Sequence, residues 1–296
     1  MAQPSTEYQE ALEPFLLALA DDELIMGHRH SEWTGWAPHI EEDIAFSSIA
    51  QDEIGHAALY YAILADTNGS TADQLALARQ PNEYLSCLLV ERPNDDWAYT
   101  LARHFLYESA ERIRLDALMN SSFRPLADAV AKISREERYH QLHADSWFTR
   151  LAHGPLEGRH QFSVALSSAL PDAVGIFEPT ATESKALELG IVSRSSDDLL
   201  QDWLSDVVGR IEEAGISFTL EPEDDPKDVL PTSSGEMPEQ EHSSEPRPSI
   251  SLVDGRFELK GSFPGMGGRK GKHSPDFDDL WDDLTKTFRE EPTATW

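Results

Sequence analysis

The chain has 296 residues, with 54 acidic and 24 basic side chains, and its formal net charge is −30. That charge repels phosphate groups, so neither nucleic acid nor an anionic membrane surface is an expected partner. The sequence contains no apolar run of about 18 residues, so no transmembrane helix is predicted. Its N-terminus lacks the basic segment followed by an apolar segment that marks a secretory signal, so no such signal is predicted. Together with a single cysteine, Cys87, this predicts a cytoplasmic protein without disulfides.

The acidic residues are spread along the whole chain. Two interpretations remain open: a functional acidic surface, or the solvated carboxylate surface of a protein adapted to high salt. The even spread favours the second, halophilic type, which predicts that folding weakens when salt is removed and the carboxylates repel one another.

Hydrophobic residues at helical spacing predict an all-α helical bundle over residues 1–215. Breaker residues such as Asn68-Gly69 and His153-Gly154-Pro155 separate the elements. In chain order, the predicted helices cover residues 7–29, 38–66, 72–78, 84–90, 95–119, about 125–151, 158–177 and 196–213. Asn94 or Asp95 is expected to cap the helix that follows them.

The remainder of the chain differs in texture. Residues 216–249 are rich in Pro, Ser, Glu and Asp, which predicts a flexible acidic linker. Residues 250–296 form a predicted C-terminal extension: a strand-like piece over 250–259, a Gly-rich stretch over 262–273 and an amphipathic helix over 275–289.

Two Glu-x-x-His motifs lie within predicted long helices, Glu53 to His56 and Glu137 to His140. Positions i and i+3 share one face of a helix, so each carboxylate and imidazole can bind one metal ion. In ferritin-like di-iron proteins, two helices carry such motifs and the two others each give one glutamate.

A glutamate does lie on the preceding helix in each half of this chain. Glu23 precedes Glu53, and Glu108 precedes Glu137, each by about thirty residues. A short connection between antiparallel helices brings such positions to one level of the bundle. The predicted metal ligands are therefore Glu23, Glu53, His56, Glu108, Glu137 and His140, and the predicted cofactor is two iron ions. Manganese stays open as the metal.

Several neighbouring side chains compete with this set or could support it. Glu111, one turn after Glu108, is an alternative ligand, whereas Glu42 lies three turns from Glu53 on the same helix, about 16 Å away, and is rejected. Glu136 is expected to point away from the site. Asp52 and Asp145 are candidate acceptors for the outer N–H groups of the ligand imidazoles.

Other reactive residues are expected to have structural or surface roles. His28 and His30 are expected at the surface, with contacts to the metal ligands or to a partner as the alternative. His104 and His143 are expected to be structural or exposed, and Cys87 is expected to be a small buried side chain. The Gly-rich stretch lacks Walker spacing, so it does not indicate nucleotide hydrolysis.

Several segments resemble the family of C-type subunits of phenylacetyl-CoA epoxidase, within the ferritin-like di-iron superfamily. They appear in order as Asp21-Asp22-Glu23-Leu24, Gly27-His28-Arg29, Ser31-Glu32-Trp33, Glu41-Glu42-Asp43-Ile44-Ala45, Leu89-Val90-Glu91-Arg92-Pro93-Asn94, Glu137-Arg138-Tyr139-His140 and Gly267-Gly268-Arg269-Lys270-Gly271. The resemblance covers about residues 15–215 and resumes briefly over 265–275.

The resemblance implies a subunit of a multicomponent monooxygenase that epoxidises the ring of phenylacetyl-CoA in aerobic phenylacetate degradation. The implied partners are the paralogous catalytic A-type subunit, a separate flavin and iron–sulfur reductase that supplies electrons, and the aryl-CoA substrate, in a hetero-oligomer. Familiar C-type subunits have lost much of the ligand set, and this chain departs from them because all six candidate ligands are present. The acidic linker is a second departure.

Three functions follow. The first is a di-iron subunit that activates O2, with Glu53 and Glu137 bridging, Glu23 and Glu108 terminal, and His56 and His140 each on one iron. The second is a non-catalytic subunit that stabilises the A-type subunit. The third is an independent ferritin-like oxidase. In the first two, the basic residues of 267–272 are candidates to meet the CoA phosphates or a partner subunit, unless they form a solvated loop.

Overall fold

A computed structural model describes residues 6–216 and 248–294, and over these residues the chain is a helical bundle with one small hairpin. This confirms the predicted all-α, ferritin-like class. The α-helices in chain order are α1 (Thr6–Ser31), α2 (Ile40–Asn68), α3 (Ala72–Leu77), α4 (Leu88–Glu91), α5 (Trp97–Leu118), α6 (Arg124–Ala152), α7 (Leu156–Ala173), α8 (Glu183–Glu188), α9 (Ser196–Glu213) and α10 (Phe277–Glu290). Within the described residues, short 3-10 turns cover Pro81–Glu83, Val174–Phe177 and Gly268–Lys270.

The four long helices α1, α2, α5 and α6 form the bundle, and α7 and α9 cover α5. Helices α1 and α2 approach each other closely at Gly27, where an added Cβ would lie 2.8 Å from Ile54 Cγ1 and 2.9 Å from the Ala50 carbonyl oxygen. Only a residue without a side chain allows this approach. This close contact of α1 with α2 lies one turn from Glu23, so it holds the two helices together at the level of the candidate ligands.

Helix α9 closes the outside of the core with Trp203, which is completely buried. Its indole N–H donates to the Ser109 hydroxyl at 2.9 Å, so the polar end of this large side chain is satisfied. The bundle core therefore reaches through α5 to a second layer of helices.

One predicted helix is wrong. Residues 84–90 contain only the single turn α4, and Tyr84 and Cys87 have extended backbones. The reason is tertiary: Asp21 on α1 accepts from the backbone N–H of Leu85 at 2.7 Å, and Asp22 accepts from that of Cys87 at 2.8 Å. These carboxylates replace the carbonyl acceptors that a helix would supply.

The expected cap of α5 is also wrong. Asp96, rather than Asn94 or Asp95, caps the helix, and its side chain accepts from the Tyr99 N–H at 2.7 Å. Asn94 instead donates to the Arg29 carbonyl oxygen at 2.6 Å. The helix expected to begin at residue 38 begins at Ile40.

The strand-like piece near the C-terminus is an antiparallel hairpin of β1 (Ser249–Val253) and β2 (Arg256–Lys260). It turns at Asp254 and Gly255, which both have positive φ. The Gln201 side chain on α9 bonds both the N–H and the carbonyl of Phe257, so the hairpin is attached to the bundle.

Most of the predicted acidic linker, residues 217–247, lies outside the described residues, so the domain boundaries at 215 and 249 stay predictions. Among the described helices, none combines the length and the hydrophobicity that crossing a membrane requires.

Candidate metal centre

Four helices bring the six predicted ligands into the interior of the bundle. Glu23 comes from α1, Glu53 and His56 from α2, Glu108 from α5, and Glu137 and His140 from α6. All six side chains are buried. The rings of His56 and His140 have centroids 6.0 Å apart, so the two motifs face each other across one space.

The ligands fall into two groups of three, each with ligand atoms within 4.8 Å of one another. One group contains Glu23, His56 and Glu137, and the other contains Glu53, Glu108 and His140. Each group takes one glutamate from the opposite Glu-x-x-His motif. This exchange of glutamates between the groups would suit two adjacent metal ions with Glu53 and Glu137 between them. The roles of the individual ligands stay a prediction.

Both imidazoles present Nδ1 to the carboxylates. His56 Nδ1 lies 3.2 Å from both Glu23 Oε2 and Glu137 Oε1, and His140 Nδ1 lies 3.1 Å from Glu137 Oε1. Two buried imidazoles with inward nitrogens and four buried carboxylates form a nitrogen and oxygen donor set suited to iron or manganese.

The outer nitrogens meet two acids in a crossed arrangement. His56 Nε2 on α2 lies 2.9 Å from Glu136 Oε2 on α6, and His140 Nε2 on α6 lies 3.3 Å from Asp52 Oδ2 on α2. Such acceptors orient a ligating imidazole and raise its basicity.

Asp52 thus behaves as predicted, whereas two other expectations are wrong. Glu136 does not point away, because its long side chain reaches from α6 to His56 on α2. Asp145 pairs instead with Arg210 at 2.7 Å. The sequence carries a signal for the correct pair: an acid directly precedes the glutamate of each motif.

The expectation that His30 lies at the surface is wrong as well. His30 is completely buried, and its Nδ1 lies 3.0 Å from Glu53 Oε2. It lies on α1 two turns after Glu23, on the same face of the helix. Burial lowers the pKa of His30 well below its usual value, so it is a neutral imidazole beside Glu53.

Tyr107 is a further neighbour that spacing did not identify. Its hydroxyl donates to Glu23 Oε1 at 2.9 Å, and its position one residue before Glu108 gave no indication of this contact.

Three oxygens of the cluster carboxylates lack a partner among the described protein groups. Both oxygens of Glu108 and Oε1 of Glu53 are buried without a hydrogen-bond partner. His104 Nδ1 lies 3.3 Å from Glu108 Oε1, but not in hydrogen-bonding geometry. Unpaired buried polar groups cost free energy and are rare in folded proteins. These orphaned oxygens fit a site that holds cations.

The pKa shifts within the cluster follow from burial and from the charges of its own members. Burial, reinforced by the charges of Glu23 and Glu137, raises the pKa of Glu53 well above its usual value. Burial and the charges of Glu137 and Glu53 do the same to the pKa of Glu108. Burial opposes a charge on His56, but hydrogen bonds to Glu137 and Glu23 outweigh it and raise its pKa to about 11. At Glu53, Glu108 and His56 these shifts favour the protonated form.

Glu42, which was rejected as a ligand, and Glu111, the alternative to Glu108, both contact other side chains. Glu42 accepts from Trp147 Nε1 at 2.9 Å and lies 2.9 Å from His143 Nε2, away from the cluster. Glu111 accepts from the Arg114 guanidinium, and it belongs to neither group of three.

The remaining side chains are buried to different degrees. His104 is completely buried, which fits a structural histidine and not the exposed alternative. His28 is partly buried. Cys87 is buried as expected, and burial raises the pKa of its thiol.

The Gly-rich stretch is not the solvated loop that was one alternative for it. Arg269 is buried, and its guanidinium donates to Asp22 at 2.6 and 2.8 Å and to the Ile176 carbonyl oxygen at 2.9 Å. Gly268 lies so close to the Ser86 carbonyl oxygen that an added Cβ would be 2.0 Å away. Arg269 is therefore committed to the bundle core and is not available to bind CoA phosphates. Lys270 pairs with Glu178 at 2.7 Å.

Comparison with known proteins agrees with the resemblance. The profile of the family described as "Phenylacetic acid catabolic protein" matches residues 1–226. The C-type subunit of 1,2-phenylacetyl-CoA epoxidase from Escherichia coli K12 is 29% identical over 211 residues, which are 71% of this chain and 85% of that relative. The A-type subunit of the same enzyme is 25% identical over 203 residues, which are 64% of this chain and 65% of that relative. The chain belongs to the phenylacetic acid catabolic protein family.

Proposed function

From this family membership and the six buried ligands, we propose that the chain is a di-iron subunit of a phenylacetyl-CoA epoxidase-type monooxygenase in phenylacetate catabolism. The observation that carries the proposal is the pair of crossed three-residue groups, each with one imidazole and two carboxylates. A family resemblance alone would not distinguish a metal-binding subunit from a supporting one.

In the proposed centre, Glu23 and His56 would hold one iron ion and Glu108 and His140 would hold the other, with Glu53 and Glu137 available to both. Two bound ferrous ions would supply electrons to activate O2 for oxygen transfer to an aromatic ring. Fresh electrons would come from a separate reductase. A paralogous A-type subunit with an aryl-CoA substrate completes the proposed assembly.

The chain's own residues have three roles in this scheme. Glu136 and Asp52 accept from Nε2 of the two imidazoles and so fix Nδ1 as the inward nitrogen. Tyr107 donates to Glu23 and limits its rotation. Phe46, completely buried against His30 with ring centroids 4.9 Å apart, helps to exclude water from the Glu53 side.

A supporting subunit is the second candidate function. The identity to the C-type relative, 29%, exceeds that to the A-type relative, 25%. In the family resemblance, the C-type member stabilises the catalytic one. In that case the metal centre of this chain would be vestigial or structural.

Metal content tests the proposal most directly. We expect about two iron ions per purified chain, and we expect Glu53→Ala to reduce the affinity by more than about 100-fold, beyond the loss typical of groups outside the ligand shell. Glu42→Gln, which changes a carboxylate outside the cluster on the same helix, is the control and should keep wild-type metal content.

A wild-type chain that binds no divalent metal would overturn the di-iron assignment and leave the supporting role. Activity separates the remaining alternatives. Ring epoxidation that requires both a reductase and a co-expressed partner supports the proposal, and O2 consumption by the chain alone would indicate an independent oxidase.

A further inference from the structure

A cleft of about 180 Å³ lies between α5 and α6 and reaches the candidate metal centre from outside. Its base contains Glu108 and Glu137, both buried. Arg112, Asp116 and Arg138 are exposed at its mouth. The walls between mouth and base are completed by Leu115, Ser134 and Gln141. The volume is large enough for several water molecules.

Two other sides of the cluster are covered by side chains of the described residues. On the α2 and α6 side, the imidazoles of His56 and His140 are 1% exposed and are backed by Glu136 and Asp52. On the α1 side, Tyr107, 1% exposed, covers Glu23.

The polar groups of the cleft suit a cation. Asp116 stands at the mouth and the orphaned carboxylate of Glu108 lies at the base, where both oxygens lack a hydrogen-bond partner. Arg112 is paired with Asp206 on α9 at 3.0 Å, which offsets its charge. Gln141 is anchored by donating to the Glu108 carbonyl oxygen at 2.9 Å, so the α6 wall is fixed against α5.

We propose that the cleft between α5 and α6 is the route by which divalent metal ions enter the carboxylate cluster. This inference rests on the proposed metal centre and adds its point of entry. The ion passes Asp116 at the mouth, moves along the polar wall of Ser134 and Gln141, and reaches Glu108 first. The net charge of −30 raises the cation concentration near the surface. Arg138 opposes entry at the mouth.

Metal loading of the full-length chain tests the route with Co2+ as the probe. Metal-free protein is mixed with Co2+ in a stopped-flow instrument, and the visible absorption of bound Co2+ is followed. We expect Ser134→Trp, which fills the cleft, to slow loading about 10-fold or more while the amount bound at equilibrium stays the same. The rate measures access, so it does not depend on turnover.

Charge reversal at the mouth provides the second measurement, and it does not require filling a packed wall. We expect Arg138→Glu to speed loading severalfold at the lowest salt at which circular dichroism shows a folded chain, and this gain should shrink as salt screens it. Arg135→Glu is the matched control, because it makes the same charge change on the exposed face of α6 outside the cleft. It should have a smaller effect.

The outcomes separate the two proposals. Wild-type loading rates in folded Ser134→Trp, or equal acceleration by Arg138→Glu and Arg135→Glu, would overturn the entry route while leaving the metal centre intact. A wild-type chain that binds no Co2+ at equilibrium would overturn both.

Discussion

Asp22 and Glu23 are adjacent buried acids of α1, but their surroundings differ. Arginine side chains neutralise Asp22, whereas Glu23 belongs to the cluster of buried glutamates. Asp22 accepts from the guanidinium groups of Arg114 and Arg269 and from the Cys87 N–H. Glu23, the next residue, faces Glu53, Glu108 and Glu137, and none of these four has a described ion pair with a lysine or arginine.

The difference shows how to distinguish a structural acid from a metal ligand in a buried site. A carboxylate with fixed guanidinium partners is already neutralised, and it connects the elements that supply those partners. Carboxylates that face one another without fixed cations need protons or metal ions instead. Mutation of Asp22 should therefore change the stability of the fold, and mutation of the cluster glutamates should change metal binding.

Removing the charge of Asp22 should have the largest effect on stability. Asp22→Asn leaves Arg114 and Arg269 buried without their shared anion, and we expect the free energy of unfolding to fall by about 3 to 5 kcal/mol. Chemical denaturation measures this loss. Asp202→Asn, the same change at an exposed pair with Arg194, should cost less than about 1 kcal/mol. Equal effects would contradict the structural role of Asp22.

The same pair predicts a dependence on pH. Burial by itself would raise the pKa of Asp22, but the charges of Arg269 and Arg114 outweigh it, and the pKa is lowered from 3.8. A carboxyl with a lowered folded pKa stabilises the fold above its unfolded pKa and loses that contribution as pH falls through the folded value. Wild type should thus lose its advantage over Asp22→Asn in strong acid.

The acids outside the ligand set should tune metal affinity without abolishing it. We expect Asp52→Asn and Glu136→Gln each to weaken Co2+ binding by about 10- to 100-fold, because each removes the charged acceptor of one ligand imidazole. Competition with a chelating dye measures the change. Asp145→Asn, at the acid that pairs with Arg210, should bind as wild type does. Unchanged affinity in both variants would show that the crossed contacts are incidental.

Neutralising one cluster carboxylate should stabilise the metal-free chain. In the folded wild type the buried Glu53 carboxyl must take up a proton at neutral pH, whereas the amide of Glu53→Gln is neutral without one. We therefore expect the free energy of unfolding of the chelator-treated variant to exceed that of wild type by about 1 to 2 kcal/mol at neutral pH. Glu42→Gln should have the opposite sign, because Glu42 accepts from Trp147 and contacts His143.

The stabilisation by Glu53→Gln should itself depend on pH. The folded pKa of Glu53 is raised well above 4.5 by burial and by Glu23, so the folded wild type binds more protons than the unfolded chain at neutral pH. Wild-type stability then rises as pH falls towards 4.5, and the difference between the two proteins should narrow. Melting temperatures measured across this range check it, and a constant difference would contradict the raised pKa.

Spacing alone located the six candidate ligands, because i and i+3 positions share a helix face and the two halves repeat one interval. Spacing could not place Glu136. Its position on α6 suggested that it faces solvent, and only the packing of α2 against α6 shows that it reaches His56. Nor could spacing place His30, because its spacing from Glu23 does not show whether this end of the helix is covered by the rest of the bundle. The helix expected over 84–90 failed because propensity does not register two carboxylates on a distant helix.

The sequence by itself determined the all-α class, the long helices and the doubled pattern of Glu and Glu-x-x-His, since these depend on local periodicity. Only the tertiary structure decided which buried acids have fixed partners. Arg269 reaches Asp22 from 247 positions along the chain, and no arginine or lysine reaches Glu23 among the described ion pairs. Whether a buried carboxylate is neutralised depends on what lies within a few ångströms of it in space, and adjacent residues of one helix point in different directions.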